Sequence, residues 1–196
     1  MSRSAGVGLS FPGLRSPGVG FDAPFEMLTA CHERVERMLD LLSRLQAHLT
    51  MQGCDEQARS AAADVLRYFD LAAPQHHLDE ERHVFPAVLA LQEQTLRQLV
   101  ERLQREHLEM ERLWTVVRQT LQRVTHADTQ SWTPLSVADH AAMAAFAAIY
   151  QDHIRDEESL IYPAAQQTLE RHHLQAMSRD MTFRRTGAAH LSERHP

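Results

Sequence analysis

Residues 69–86 read FDLAAPQHHLDEERHVFP, and residues 146–163 read FAAIYQDHIRDEESLIYP. The two stretches lie 77 positions apart and share the pattern F-x6-H-x2-D-E-E-x3-[FY]-P. We call them the first repeat and the second repeat. Internal similarity at a fixed offset indicates that the chain uses one structural unit twice. Here the unit carries a histidine and a glutamate four residues apart.

Two further segments pair at nearly the same offset. Residues 31–37 read CHERVER and residues 106–112 read EHLEMER, 75 positions later, so both contain H-x3-E-R. One or two such motifs would arise by chance in a chain with 13 histidines and 26 acidic residues. Four in register, one on each predicted helix, indicate two helical hairpins of similar design. The four motifs are His32–Glu36, His76–Glu80, His107–Glu111 and His153–Glu157.

Apolar residues recur at helical spacing through most of the chain. They predict four long helices, at about 22–53, 55–83, 92–124 and 136–161, and a short closing helix at 164–181. Asp22 is the predicted cap of the first helix, and Pro74 is predicted to kink the second. Short connections between long helices favour an all-α, up-down-up-down four-helix bundle with a short extra C-terminal helix. An irregular α-domain is the alternative.

The predicted domain organisation follows from these helices. Residues 1–21 are rich in Gly, Ser and Pro and predict a flexible N-terminal arm. Residues 22–181 form the predicted bundle, and residues 182–196 a polar C-terminal tail.

Composition excludes several functional classes. A net charge of −6 offers no basic surface for nucleic acid, and no apolar run approaches the roughly 20 residues that span a bilayer. The two cysteines, Cys31 and Cys54, form no C-x-x-C motif and are expected to be reduced thiols. We therefore predict a cytoplasmic protein that binds neither nucleic acid nor membrane. The oligomeric state stays open.

The H-x3-E motifs predict a metal site. Residues four apart on a helix share a face, so a His–Glu pair can reach one ion, and pairs on facing helices converge in the core. Imidazole and carboxylate without thiolate favour two iron ions, with Mn or Zn as alternatives. Glu80 and Glu157 are predicted to bridge the ions. The first-rank ligands are His32, His76, Glu80, His107, His153 and Glu157, and Glu36 and Glu111 are second-rank ligands or hydrogen-bond partners.

Neighbouring residues receive other predictions. His77, one step around the helix from His76, is predicted to face sideways to the surface, and Glu81 and Glu158 to be solvated. A ferritin-like Glu-x-x-His site is disfavoured, because the second repeat has Leu160 where the first has His83. Each Pro of the Phe-Pro and Tyr-Pro pairs is predicted to end its helix, with the aromatic ring packed over the site.

These residues resemble the hemerythrin-like HHE cation-binding domain family, over about residues 22–180. The resemblance is carried by His32, the HHLDEE segment at 76–81 with Phe85-Pro86, Glu106-His107, and His153 to Glu157 with Tyr162-Pro163. It implies a four-helix bundle with a non-haem di-iron centre.

The chain resembles one branch of this family more than another. The oxygen-carrying hemerythrins have H-x3-H on the third helix and H-x4-D on the fourth, where this chain has Glu111 and Glu158. A set of four His and two Glu is more similar to the bacterial proteins implicated in repair of iron–sulfur centres and in nitric-oxide stress. Those proteins carry an additional N-terminal cysteine-bearing domain, for which the first 20 residues are too short.

The predicted function is binding or sensing of O2 or NO at the di-iron centre. The alternatives are iron donation, repair of iron centres under oxidative or nitrosative stress, and an enzyme that reacts with peroxide or NO. A helical bundle with vestigial sites is a third possibility. No Ser-His-Asp arrangement or Gly-rich phosphate loop occurs. Whether the protein is an enzyme therefore stays open.

Overall fold

The computed structural model describes residues 23–127 and 132–192, with side chains described as far as residue 185. The arm predicted at 1–21 and the cap predicted at Asp22 lie outside the described residues. The α-helices are α1 (Pro24–Met51), α2 (Glu56–Asp79), α3 (Phe85–Leu89), α4 (Gln94–His126), α5 (Val137–Asp156), α6 (Tyr162–Thr168) and α7 (Arg171–Ser192). A π-helical turn at Glu80–Val84 joins α2 to α3, and a second at Glu157–Ile161 joins α5 to α6.

Two apolar cores show how the four long helices run. A large core and a small core, defined by their buried residues, lie on opposite sides of the H-x3-E motifs in every long helix. The large core takes residues from 35–49, 58–73, 110–124 and 143–154, and the small core from 25–28, 84–88, 100–103, 161–165 and 177–181. Helices α1 and α4 pass from the small core to the large one, and α2 and α5 pass back. This order confirms the predicted up-down-up-down bundle.

The helices form a closed ring around these cores. Helix α2 packs against α1 and α4, α4 packs against α5, and α5 against α1. Fully burying one Leu or Phe side chain contributes about 1.5–3 kcal/mol. The two cores therefore stabilise a fold that also buries a polar layer between them.

Helix ends follow local sequence signals. Asp55 accepts a hydrogen bond from the backbone N–H of Ala58 at 2.9 Å and starts α2. Ser136 and Asp139 form a reciprocal capping box that starts α5. Gly53 follows α1 with a φ of +81°, a conformation that glycine adopts without strain.

The two π-helical turns correct one prediction. Pro86 and Pro163 were expected to end their helices, but each lies in the first turn of a following helix, α3 or α6. The backbone N–H of Phe85 bonds to the carbonyl of Glu80, five residues earlier, and Tyr162 bonds to Glu157 in the same way. The widened turn carries the chain past a residue that has no N–H to donate.

The C-terminal helix also differs from its prediction. Helix α7 has 22 residues and continues to Ser192, so the helix end predicted at 181 is wrong. It packs on α1 and α2. Arg184 and Arg185 bond to the fully buried carboxylate of Asp79 and so attach this polar part of α7 to the end of α2. Among the described helices, none is long and apolar enough to cross a membrane.

Candidate metal centre

A polar layer lies between the two apolar cores. It contains the six residues that the sequence ranked first as ligands. The four histidines, one from each long helix, are each 2% exposed, and the two glutamates are 0% exposed. Both glutamates are the first residue of a π-helical turn, a feature often found at functional sites.

The first group of donors, which we call site A, joins His32 and His76 to the two glutamates. Its ligand atoms all lie within 4.8 Å of one another. The Nε2 atom of His32 lies 3.2 Å from Oε2 of Glu157, and Nε2 of His76 lies 3.3 Å from Oε1 of Glu80.

The second group, site B, joins His107 and His153 to the same glutamates, again within 4.8 Å. The Nε2 atom of His153 lies 3.1 Å from Oε1 of Glu157, and Nε2 of His107 lies 3.6 Å from Oε2 of Glu80. Each glutamate therefore turns one oxygen toward site A and the other toward site B. This is the arrangement that two bridging carboxylates require.

Carboxylates hold the outer nitrogens of three histidines. Nδ1 of His32 donates to Glu158 at 2.9 Å, and Nδ1 of His107 donates to Glu81 at 2.9 Å. Nδ1 of His153 donates to Glu106 at 2.8 Å. A proton fixed on Nδ1 leaves the Nε2 lone pair directed into the layer, as in metal sites whose histidines are oriented by carboxylates.

These tautomers leave several acceptor atoms facing one another in the layer, as a cation site requires. With both Nδ1 atoms donating outward, the Nε2 atoms of His107 and His153 face each other at 3.1 Å. In addition, Oε2 of Glu80 and both oxygens of Glu157 are buried without a hydrogen-bond partner among the described residues. Donors each about 2.1 Å from one ion lie roughly 3–4 Å apart, as these do. The residues therefore fit a pair of cations.

The glutamates of the layer raise the pKa values of two of its histidines. Burial lowers the pKa of His153, but Glu157 and Glu106 outweigh it and raise the pKa to about 9. Burial likewise lowers the pKa of His32, yet Glu157 and Glu158 hold it well above its usual value. Positive charge is thus stabilised beside the glutamates, and in the protein without metal it comes from protons.

The pKa values of the two glutamates are shifted in opposite directions. Burial, reinforced by Glu157, raises the pKa of Glu80. Burial also raises the pKa of Glu157, but His153 and His32 outweigh it and leave the pKa well below its usual value. Burial, and after it His32, lowers the pKa of His76 well below its usual value.

Two aromatic rings cover the layer on the side of the small core, as the sequence predicted. Phe85 stacks on His107, with ring centroids 5.7 Å apart. Tyr162 stacks on His32 at 5.5 Å, and its hydroxyl lies 3.2 Å from Nε2 of that histidine. The same hydroxyl donates to Oε1 of Glu80 at 2.5 Å.

Other predicted residues lie elsewhere. Glu36 and Glu111 are exposed and belong to neither donor group. Nε2 of His83 lies 2.8 Å from Oδ2 of Asp180 in α7. His83 therefore pairs with Asp180 and not with Glu80, and the structure offers no support for a ferritin-like pair.

The surface prediction for His77 is wrong. Its side chain is only 8% exposed and stacks on His107 with centroids 4.1 Å apart. The reason is that α2 contacts both α1 and α4, so its buried face is wider than one H-x3-E stripe.

The role of Glu81 and Glu158 was also missed. Both are partly solvated, yet each holds a buried histidine. The available signal was the second Glu of D-E-E, which occurs in both repeats. Glu106 has a weaker signal, since it directly precedes His107.

Comparison with known proteins agrees with this geometry. The model of the hemerythrin HHE cation-binding domain matches residues 23–165. A protein of Haemophilus influenzae, described as uncharacterized, is 29% identical over 165 residues, which cover 84% of this chain and 91% of that protein. The matched region contains all of the polar layer.

Proposed function

The chain belongs to the hemerythrin HHE cation-binding family, and on that premise we propose that it binds two iron ions in the polar layer and through them O2 or NO. The observation that carries the proposal is the pair of shared carboxylates. Glu80 and Glu157 each direct one oxygen to site A and one to site B, where two histidines complete each set.

The donor chemistry supports iron. Each ion would have two imidazoles and two carboxylate oxygens, and neither donor group contains a thiolate. Donor sets of imidazole and carboxylate with open positions are typical of non-haem iron that reacts with oxygen. Two iron ions held there would supply those open positions to a diatomic gas.

The surroundings limit what can reach the layer. All six donor residues are 0–2% exposed, and an apolar core lies on either side. Such burial favours small uncharged molecules over larger substrates. The hydroxyl of Tyr162 is the one described side-chain donor outside the histidines that contacts both a histidine and a glutamate of the layer. It has one proton, which it donates to Glu80 here. It would donate to a small ligand beside site A only in exchange for that hydrogen bond.

Metal analysis tests the first part of the proposal. Protein purified anaerobically should contain close to two irons per chain. His76→Ala and His153→Ala should each lose iron, whereas His172→Ala should keep it, because the His172 side chain is 66% exposed and remote from the layer. Equal iron content in all three variants would overturn the assignment of the ligands.

Stopped-flow mixing tests the second part. Anaerobic Fe(II) protein is mixed with O2 or with NO, and a change in absorption is expected with at least one gas. Turnover of excess gas would indicate an enzyme, and a stoichiometric response a carrier or sensor. Protein that holds two irons and responds to neither gas would contradict gas binding and favour iron storage or donation.

A further inference from the structure

The hydrogen bonds on the outer nitrogens are distributed unevenly between the two sites. In site B both histidines have a carboxylate on Nδ1, namely Glu81 on His107 and Glu106 on His153. In site A only His32 has one. Nδ1 of His76 is buried and has no hydrogen-bond partner among the described residues.

The internal repeat explains the missing partner. The pairing of segments 31–37 and 106–112 sets Glu106 against Cys31. Glu106 holds His153, the second-repeat counterpart of His76. A glutamate at position 31 would thus be the counterpart for His76, but the chain has a buried cysteine there. A thiol is only a weak hydrogen-bond acceptor, whereas a carboxylate is a strong one.

Site B is also the more firmly built of the two. Arg102 donates to Glu106 at 2.7 Å and bonds to Asp156, so the carboxylate on His153 is itself held in place. The ring of His107 packs between His77, at 4.1 Å and nearly parallel, and Phe85. The second repeat has Ile154 where the first has His77.

Site A is less prepared for an ion. The hydroxyl of Tyr162 lies 3.2 Å from Nε2 of His32 and bonds to Oε1 of Glu80. Both of these atoms belong to site A, so an ion there must share or displace these contacts. Site B has Phe85 at the equivalent position, which has no hydroxyl.

We propose that the two sites bind metal unequally, site B first and tightly and site A second and more weakly, and that Glu81 and Glu106 are the positioning residues that cause the difference. The inference rests on the proposed two-ion centre. Hydrogen-bonded carboxylates behind a ligand histidine typically change metal affinity 10–100-fold. With two such partners in site B and one in site A, we expect the two dissociation constants to differ by about 10-fold or more.

Stepwise titration tests the proposal. The chelator-treated 196-residue protein is titrated anaerobically with Fe(II) in a calorimeter, and two separate binding steps are expected. With Zn(II), one equivalent should shift the ring-nitrogen resonances of His107 and His153 before those of His32 and His76. Two equal steps, or resonances of site A that move first, would overturn the inference and leave the two-ion centre intact. Absence of any metal binding would instead overturn the proposed function.

Matched variants identify the cause. Glu81→Gln and Glu106→Gln should each weaken the first step about 10-fold and leave the second within a few-fold, while Glu158→Gln should weaken only the second. Gln keeps an acceptor and removes the charge, so a merely structural role would move the melting temperature of the metal-free protein and not one selected step. Cys31→Glu should strengthen the second step. A Glu81→Gln or Glu106→Gln protein with an unchanged first step would contradict the positioning role.

Discussion

The first and second repeats use the same backbone device but lie in different surroundings. In each, His and Glu lie four apart at the end of a long helix, the Glu opens a π-helical turn, and Pro follows in the next short helix. In each, the next Glu accepts from a histidine of the other hairpin, so that Glu81 holds His107 and Glu158 holds His32.

The repeats differ in the residues around this device. Asp79 of the first repeat is fully buried and bonds to two arginines of α7. Its counterpart Asp156 is 16% exposed in its side chain and bonds to Arg102 of α4. The aromatic residue is Phe85 in one repeat and Tyr162 in the other. Duplication therefore supplies the donors symmetrically, while the later elements and single substitutions make the two halves unequal.

The largest expected effect concerns the two glutamates, one from each repeat, that sites A and B share. Glu80→Ala or Glu157→Ala should lose nearly all bound metal, because each glutamate serves both sites, whereas His76→Ala should lose mainly the ion of site A. Metal content per chain after gel filtration measures this. If Glu80→Ala retains as much metal as His76→Ala, the carboxylate does not bridge.

The next effect is a difference in stability between variants of the two equivalent aspartates, Asp79 and Asp156. Asp79→Ala should destabilise the protein by about 3–5 kcal/mol, since it removes a fully buried carboxylate from two partly buried arginines, of which Arg184 keeps Asp180. Asp156→Ala should cost about 1 kcal/mol, because its partner Arg102 is 38% exposed and keeps Glu106. Urea unfolding of both variants provides the comparison. Equal losses would mean that α7 contributes little to the stability of α2.

A pH effect of smaller size is expected in metal-free protein. The pKa of His153 is raised to about 9 in the folded state, so its contribution is complete below about pH 6.5 and is lost as pH rises toward 9. His32 acts in the same direction. The pKa values of His76 and His77 are lowered, so their effect falls below pH 6.5.

The free energy of unfolding without metal should therefore decrease between pH 6.5 and 9, on the order of 2–3 kcal/mol for His153. Metal binding requires neutral imidazole, so the loaded protein should not show this decrease, and its formation should release protons. Chemical unfolding with and without chelator across this range measures both. A loss of the same size in loaded protein would contradict the assignment of His153 as a ligand.

The smallest effect tests the aromatic difference. Tyr162→Phe gives the second repeat the residue of the first and removes the hydrogen bond to Glu80. Metal-free protein should lose about 1–2 kcal/mol, because a buried carboxylate loses its donor. The loaded protein should lose less, since an ion then neutralises Glu80. Thermal melting of the metal-free and the metal-loaded variant measures this, with Phe85→Tyr as the reciprocal control. An equal loss of stability in the two forms would contradict the prediction.

The sequence alone was sufficient for the architecture and for the set of residues that meet in the polar layer. Helical periodicity and the four registered H-x3-E motifs predicted the bundle and the six residues that meet in the polar layer, because helix geometry fixes which residues share a face. The same logic also predicted Glu36 and Glu111 beside them, but both are exposed and lie outside the two donor groups. An i, i+4 relation puts two side chains on one face without deciding how far that face is buried by neighbouring helices.

Only the tertiary structure decided the surroundings of the site. The pairing of Glu81, Glu106 and Glu158 with histidines of other helices depends on contacts between residues 26–126 positions apart. The burial of His77 likewise depends on the packing of α2 against α4. The same is true of α7, whose arginines reach Asp79 from more than 100 positions away. Periodicity determines the face of each helix locally, whereas the partner across an interface depends on the packing of the whole bundle.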